Sequence, residues 1–336
     1  MRLALAVCAA LLASCGTKKQ AAPEVSGLAT VPVSATAVVV VDVVRVIDSE
    51  LVVRAVDQLL LRDPSLRDKW QALGTDCKLD AHKLKHVLLV IGQPPAQGTT
   101  TGPVLMIATG QIAEDELASC VRKIVGQGGG ALTAKDVGGK TLYQAKDGNR
   151  TMFFAFGKPD TVVLGSNEPF VLEALGTGNK LAENLELRGW MKLADQKAPI
   201  WAAGKVDERV RGGVVKLTNG QVKEGPVAIV MAANPTDGIA IEVGAVMASE
   251  ADAKALESFT KTQQGMFAMA AQAHKAGKIV DKLTISADKR VMRIKAALTT
   301  ADINLLISVL DGRSATAQDS PPAAPGSAEG SQATGP

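Results

Sequence analysis

Three histidines, at positions 82, 86 and 274, are the side chains of this 336-residue chain whose ordinary pKa lies near neutrality, so imidazole acid/base chemistry must use one of them. His82 and His86 are four apart, with Asp76, Cys77 and Asp80 close by, and on one helix the two imidazoles would share a face with oxygen and sulfur ligands in reach. Leu84-Lys85-His86-Val87, however, runs into Leu88-Leu89-Val90, an extended pattern that starts a strand at His86. The expectation is a turn with surface histidines and no metal site. His274 falls at the end of a long helical pattern beside Lys275, where a cation complements the helix dipole. Ser258-Phe259-Thr260-Lys261 has a Ser-x-x-Lys spacing but lacks a companion Lys-Thr-Gly and lies mid-helix, and no Gly-x-Ser-x-Gly occurs. Gly126-Gln127-Gly128-Gly129-Gly130-Ala131 has the letters of a dinucleotide fingerprint, but it ends a helix and enters a strand, the reverse of the required context. Gly139-Lys140-Thr141 resembles the end of a phosphate loop, yet Ala134 stands where the first glycine belongs, and a hairpin turn explains it. No catalytic residue, metal or cofactor is assigned.

The spacing that does specify chemistry lies at the start. Arg2 is followed by an apolar stretch from Leu3 to Leu12, then by small Ala13 and Ser14 immediately before Cys15. About ten apolar residues fall well short of the ~20 that a membrane-spanning helix needs, so the segment reads as a secretory signal. Leu12-Ala13-Ser14-Cys15 resembles the lipobox of bacterial lipoproteins. The resemblance implies cleavage before Cys15, a thioether-linked diacylglycerol on its sulfur and acylation of its new amine. Cys8 fits less well, because Val7 is bulky where a small residue is wanted. Two or three acyl chains on one residue form a durable anchor where one is marginal. Gly16 in place of an aspartate favours the outer membrane by analogy with enteric sorting, with the protein facing the periplasm or the cell surface.

Composition narrows the classes further. Hydrophobic residues make up 46% of the chain, a globular value, and the formal charge of +3 falls by one when Arg2 leaves, so no nucleic-acid partner is expected. Three Trp, one Tyr and six Phe leave few faces on which to stack glycans or bases. Once Cys8 is removed and Cys15 lipidated, Cys77 and Cys120 remain as an even pair in an oxidising compartment. They either form a disulfide closing a loop of about 44 residues or stay as two buried thiols.

The elements that must position these residues follow from periodicity. Residues 15–36 read as a lipidated cysteine and flexible tether, and 312–336, rich in Ser, Pro, Ala and Gly, as a disordered tail. Between them, 37–186 and 187–311 each run strand, helix, strand pair, helix, further strands and helix, with Pro64 dividing one helical stretch and Gly138-Gly139 and Asp147-Gly148 supplying hairpin turns. The segment from Val104 to Asp115 and that from Ile239 to Glu250 both carry a long strand through small residues into an acidic helix start. Tight turns between paired strands mean antiparallel pairing. The expected class is α+β, two similar halves of antiparallel strand pairs with helices packed on one face. This order and the lipobox together resemble uncharacterised envelope lipoproteins with duplicated α+β halves, a resemblance that carries no site residues with it.

The expected function is therefore a non-enzymatic, membrane-anchored interaction or scaffold module. The alternative is a carrier or chaperone for a lipid or other apolar ligand, and a hydrolase comes third. The helix from Ala251 to Lys275 carries Leu256, Phe259, Met266, Phe267, Met269 and Ala273 on an apolar stripe. Such a stripe either packs on a sheet or, at Met266, Phe267 and Met269, offers an adaptable surface to a protein partner or apolar ligand.

Overall fold

The computed structural model describes residues 27–75, 77, 80–95, 102–158, 160–178, 180–272 and 277–310. The signal segment, Cys15, Asp76, Ala273, His274 and the tail lie outside the described residues.

Among the described residues, twelve strands form one antiparallel sheet: β1 (Ala35–Asp42), β2 (Leu84–Gly92), β3 (Val104–Gly110), β4 (Ala131–Val137), β5 (Lys140–Asp147), β6 (Arg150–Lys158), β7 (Thr161–Gly165), β8 (Ile200–Lys205), β9 (Ala228–Asn234), β10 (Ile239–Val246), β11 (Leu283–Asp288) and β12 (Val291–Leu298). Their spatial order is β11-β12-β10-β9-β8-β1-β2-β3-β7-β6-β5-β4. β1 and β8 pair in the middle, with Val40 opposite Trp201 and Val38 opposite Ala203. The hairpins turn where left-handed backbone is affordable: Gly138 and Gly139 between β4 and β5, Gly148 between β5 and β6, and Lys289 between β11 and β12 all have positive φ.

Side-chain alternation gives the sheet two faces. On the packed face, Val38, Val40, Leu88, Val90, Leu105, Ile107, Trp201 and Val230 form the main core. It is closed by Phe170 and Val171 of α5 (Glu168–Leu175), Leu181 of α6 (Lys180–Glu183), and Leu187 and Met191 of α7 (Leu185–Met191). Asn167 and Asn184 cap α5 and α7, their side chains accepting from Phe170 N and Leu187 N, so each helix starts where an amide can be satisfied. The opposite face has a helix packed toward each end of the sheet. α4 (Glu114–Gln127) packs Ala118 against Ala108, Phe154, Phe156 and Val162, beside the Tyr143–Phe154 ring stack. α9 (Glu250–Gln272) packs Ala253 and Leu256 against Ala245, Ile285 and Met292.

The remaining helices join these layers. α1 (Val43–Val46) follows β1, α2 (Glu50–Arg62) and α3 (Pro64–Thr75) form a hairpin before β2, α8 (Glu208–Leu217) links β8 to β9, α10 (Gly277–Val280) precedes β11 and α11 (Thr300–Leu310) follows β12. Pro64 opens α3, where its missing N–H costs nothing. Cys77 and Cys120 are joined in a disulfide, Cα atoms 5.0 Å apart, which ties the end of α3 to α4.

Three expectations change. Helices pack on both faces rather than one: α5, α6 and α7 close the main core, and α4 and α9 cover apolar side chains toward the two ends of the opposite face. The tether is shorter than 15–36: Gly27–Thr30 is a 3-10 turn, Val31 is wholly buried, and Asn184 donates to the carbonyls of Val33 and Ala35. The boundary at 186/187 cuts α7, whose Leu187 and Met191 belong to the shared core. Thr299 caps α11, its hydroxyl accepting from Asp302 N.

Candidate ligand-binding face

Between α4 and α9 the register lines up three rows of side chains on the face opposite the main core. One row runs Val104, Ile91, Ala37, Gly204, Ile229 across β3, β2, β1, β8 and β9. The next runs Met106, Leu89, Val39, Ala202, Met231, Val243, and the third Ala108, Val87, Val41, Ile200, Ala233, Ile241, of which Ala108 and Val87 already pack in the cluster under α4 and Ala233 is buried. No polar side chain interrupts them. Five strands at about 4.8 Å and three rows make a patch on the order of 20 by 14 Å. Its large members are not buried: Val104 is 49% exposed, Leu89 42%, Ile91 39% and Ile229 37%. A monomer rarely leaves so continuous an aliphatic surface without a use for it. In sequence, the available signal was the unbroken apolar run in Val38 to Val41 and Leu88 to Ile91, which reads as strands buried on both faces.

The α2–α3 hairpin belongs to the same side of the sheet, since α3 packs on α4 and is bonded to it through Cys77. α2 is amphipathic, yet buries none of its residues, and Val53, Leu59 and Leu61 are exposed. It is held by polar ties at its margins. Ser49 caps it by accepting from Val52 N, Arg54 Nη1 donates to Asn304 Oδ1 of α11 at 2.9 Å, and Lys69 of α3 meets Asp147 at 3.4 Å. Just before it, Asp48 lies 3.1 Å from His82 Nε2, while Asp80 lies 3.0 Å from His82 Nδ1. The hydrogen bonds to Asp48 and then Asp80 raise the His82 pKa, and the His82 amide and ring lower that of Asp80. His82 thus acts as a clasp between the entry to α2 and the turn before β2.

α9 divides along its length. Its first half supplies Ala253 and Leu256 to the core, whereas Met266, Phe267 and Met269 near its end stand 52%, 65% and 76% exposed. The apolar stripe of the sequence is thus core in one half and bare surface in the other.

The packed face has a separate cleft of about 370 Å³, lined among others by Asp42, Arg45, His86, Thr109 and Trp201. Asp42, His86 and Thr109 sit opposite one another in register on β1, β2 and β3, the order of an acid, a base and a hydroxyl. The Thr109 hydroxyl is buried and makes no hydrogen bond, so the contact between base and nucleophile is missing. Arg45 is turned to the Lys197 carbonyl at 2.8 Å. Ser258 and Lys261 lie within α9, and Lys261 pairs with Glu257. Among the described residues no cluster of His, Cys, Asp or Glu could hold a metal ion, and no helix is long and apolar enough to cross a membrane.

Compared with protein-family models, curated proteins and solved structures, the chain matches none of them.

Proposed function

We propose that this protein is an envelope lipoprotein anchored through Cys15, without catalytic machinery, that holds an aliphatic chain such as a lipid acyl group on the bare sheet face beside α2. The observation that carries this reading is the three-row aliphatic surface with Leu89, Ile91, Val104 and Ile229 left half exposed. Protein interfaces are enriched in aromatic and arginine side chains and form a hydrogen bond every 100 to 200 Å² or so. This face offers neither, and an acyl chain asks for neither. α2, unburied and tethered at its edges, can shift over a guest without opening a core. A scaffold role toward a protein partner is the second reading, favoured by the exposed Met266, Phe267 and Met269.

The test is to extract lipid from the purified native protein and to titrate it with anthroyloxy-labelled palmitate. Co-extracted lipid and saturable probe binding are expected, weakened at least about tenfold by Leu89→Asp. A protein that carries no lipid and leaves the probe free would turn the reading toward a protein partner. The anchor is tested by replacing Cys15 with Ala and fractionating cells; recovery of the variant in the membrane pellet at the level of the native protein would remove the anchor. Placement at the outer membrane rests on Gly16 alone.

We infer in addition that the two halves arose by duplication of one unit. In support, the strands read outward from the β1–β8 seam as β1, β2, β3, β7, then β6, β5, β4 on one side and β8, β9, β10, β12, then β11 on the other. On each side the third strand leads into a helix on the bare face, α4 or α9, and the chain returns beside that strand. β1 and β8 also run alike through Val41-Asp42 and Val206-Asp207 into helices capped by those aspartates. The first half has two additional strands. An experimental structure whose halves fail to superpose over these four central strands would dismiss the duplication.

A further inference from the structure

The strand directions place the tether and the bare tip of α9 at one end of the molecule. β1 finishes at Asp42, opposite the beginning of β2 at His86, and β8 begins there at Ile200, opposite Val41. Gly27 and Leu28, the first described residues, line the cleft with Asp42, His86, Thr109 and Pro199, so the chain toward Cys15 leaves the fold at this end. α9 starts at the other end, just beyond Val246, which pairs with Ala228 and Val291. Its 23 residues extend about 34 Å, against about 27 Å for an eight-residue strand, so its last turns reach the tether end. Gln264 pins it there by donating to the carbonyls of Val280 and Leu283, and Leu283 pairs with Ala296 near that end of β12.

We propose that this tip is a membrane-docking element, in which Met266, Phe267 and Met269 enter the headgroup layer of the bilayer that holds the Cys15 lipid. The inference rests on the anchoring proposed above and adds an orientation to it. The residues between Cys15 and Gly27 span at most about 40 Å when extended, and because the chain leaves at this end, its exposed methionines and phenylalanine lie within reach of the bilayer. Side chains of this kind insert by apolar burial. Lys261 on the preceding turns is paired with Glu257. With the tip inserted, the bare sheet face ends against the membrane surface, where an acyl chain would enter.

The test uses the mature chain with Cys15→Ser, which lacks the acyl anchor, sedimented with phosphatidylcholine vesicles. The expected result is measurable partitioning that falls at least about tenfold in the Phe267→Ser/Met269→Ser double variant. Leu217→Ser, an equally exposed position on α8 at the opposite end, should stay within about twofold of the parent. Absence of vesicle binding by the parent, an unchanged double variant, or an equal loss in Leu217→Ser would overturn the proposal. Should the double variant melt early, Phe267→Trp supplies an independent reading: quenching of its fluorescence by brominated phosphatidylcholine is expected, and no quenching defeats the idea. Palmitate-probe binding in vesicle-free solution separates the two proposals, since it should survive in the tip variants even where docking is lost.

Discussion

Asp252 is among the few charged side chains that the fold buries, and both of its carboxylate oxygens accept hydrogen bonds. Its carboxylate takes the Lys223 amide at 2.6 Å, the Glu224 amide and the Ser249 hydroxyl, stitching the loop after α8 to the start of α9. Burial works to raise its pKa, but the Ser249 hydroxyl and the two amides outweigh it and the carboxyl ends below its usual range. Asp252→Ala should therefore lower stability by about 2 to 3 kcal/mol, measured by urea unfolding, because it strands three donors at once. Asp302 makes the complementary case at the surface. The Lys282 ammonium, then the Thr299 hydroxyl and amide, hold its carboxyl at about 2 instead of 3.8. Since the folded value is the lower one, the stabilisation of the α11 start is present above pH 3.8 and is lost as pH falls toward 2. Carboxyl NMR should give a midpoint near 2 for Asp302, moving upward in Lys282→Met.

At the scale of elements, the α2–α3 hairpin differs from its neighbours in being fastened by bonds at its edges while α2 buries no apolar side chain. Amides of α2 should exchange with deuterium well before those of α5 or α7, whose Val171 and Leu187 are wholly buried. The disulfide spans 43 residues of sequence, and the Cys77→Ser/Cys120→Ser variant should be less stable by about 3 to 4 kcal/mol, with the largest gain in exchange over residues 50–75. The His82 clasp acts in the same place. Its folded pKa is raised above 6.5, so the clasp is fully closed below that pH and is lost as pH rises through the raised value. Exchange in α2 should quicken across that range, and Asp48→Asn should bring the His82 midpoint down in an imidazole NMR titration.

For the molecule as a whole, the seam between β1 and β8 matters most. Val38 and Val40 of one half share a core with Trp201, Ala203 and Val230 of the other, and five residue pairs continue the hydrogen-bond ladder between them. The halves should therefore unfold together. Tryptophan fluorescence and far-ultraviolet circular dichroism in urea should give coincident transitions, and two separated midpoints would mean that the seam is weak. Each half expressed alone would present a bare central strand and should aggregate unless the other is supplied. The true edges are better guarded: β4 carries Lys135 and Asp136, and β11 ends at Asp288.

Local pattern alone placed most of the elements. Apolar runs located β2, β3 and β10, an acidic start located α4, helical spacing located α9, and turn glycines located the hairpins on either side of β5, because each of these depends on neighbours a few residues apart. The lipobox reading of Cys15 is of the same local kind. The residues from Leu28 to Ser34 escaped it, since a single 3-10 turn and one buried valine have no period to detect. So did the bounds of α8, expected only as a helix somewhere between a strand and a strand pair and signalled at its start by the Asp207 cap. What tertiary structure alone decided is which apolar faces are covered. Leu88-Leu89-Val90-Ile91 is apolar on both sides, and nothing in those four residues says that Leu88 and Val90 meet α5 and α7 while Leu89 and Ile91 meet no helix core. That outcome depends on where chain segments about a hundred residues away come to rest, and it is what leaves one side of an ordinary hydrophobic strand exposed.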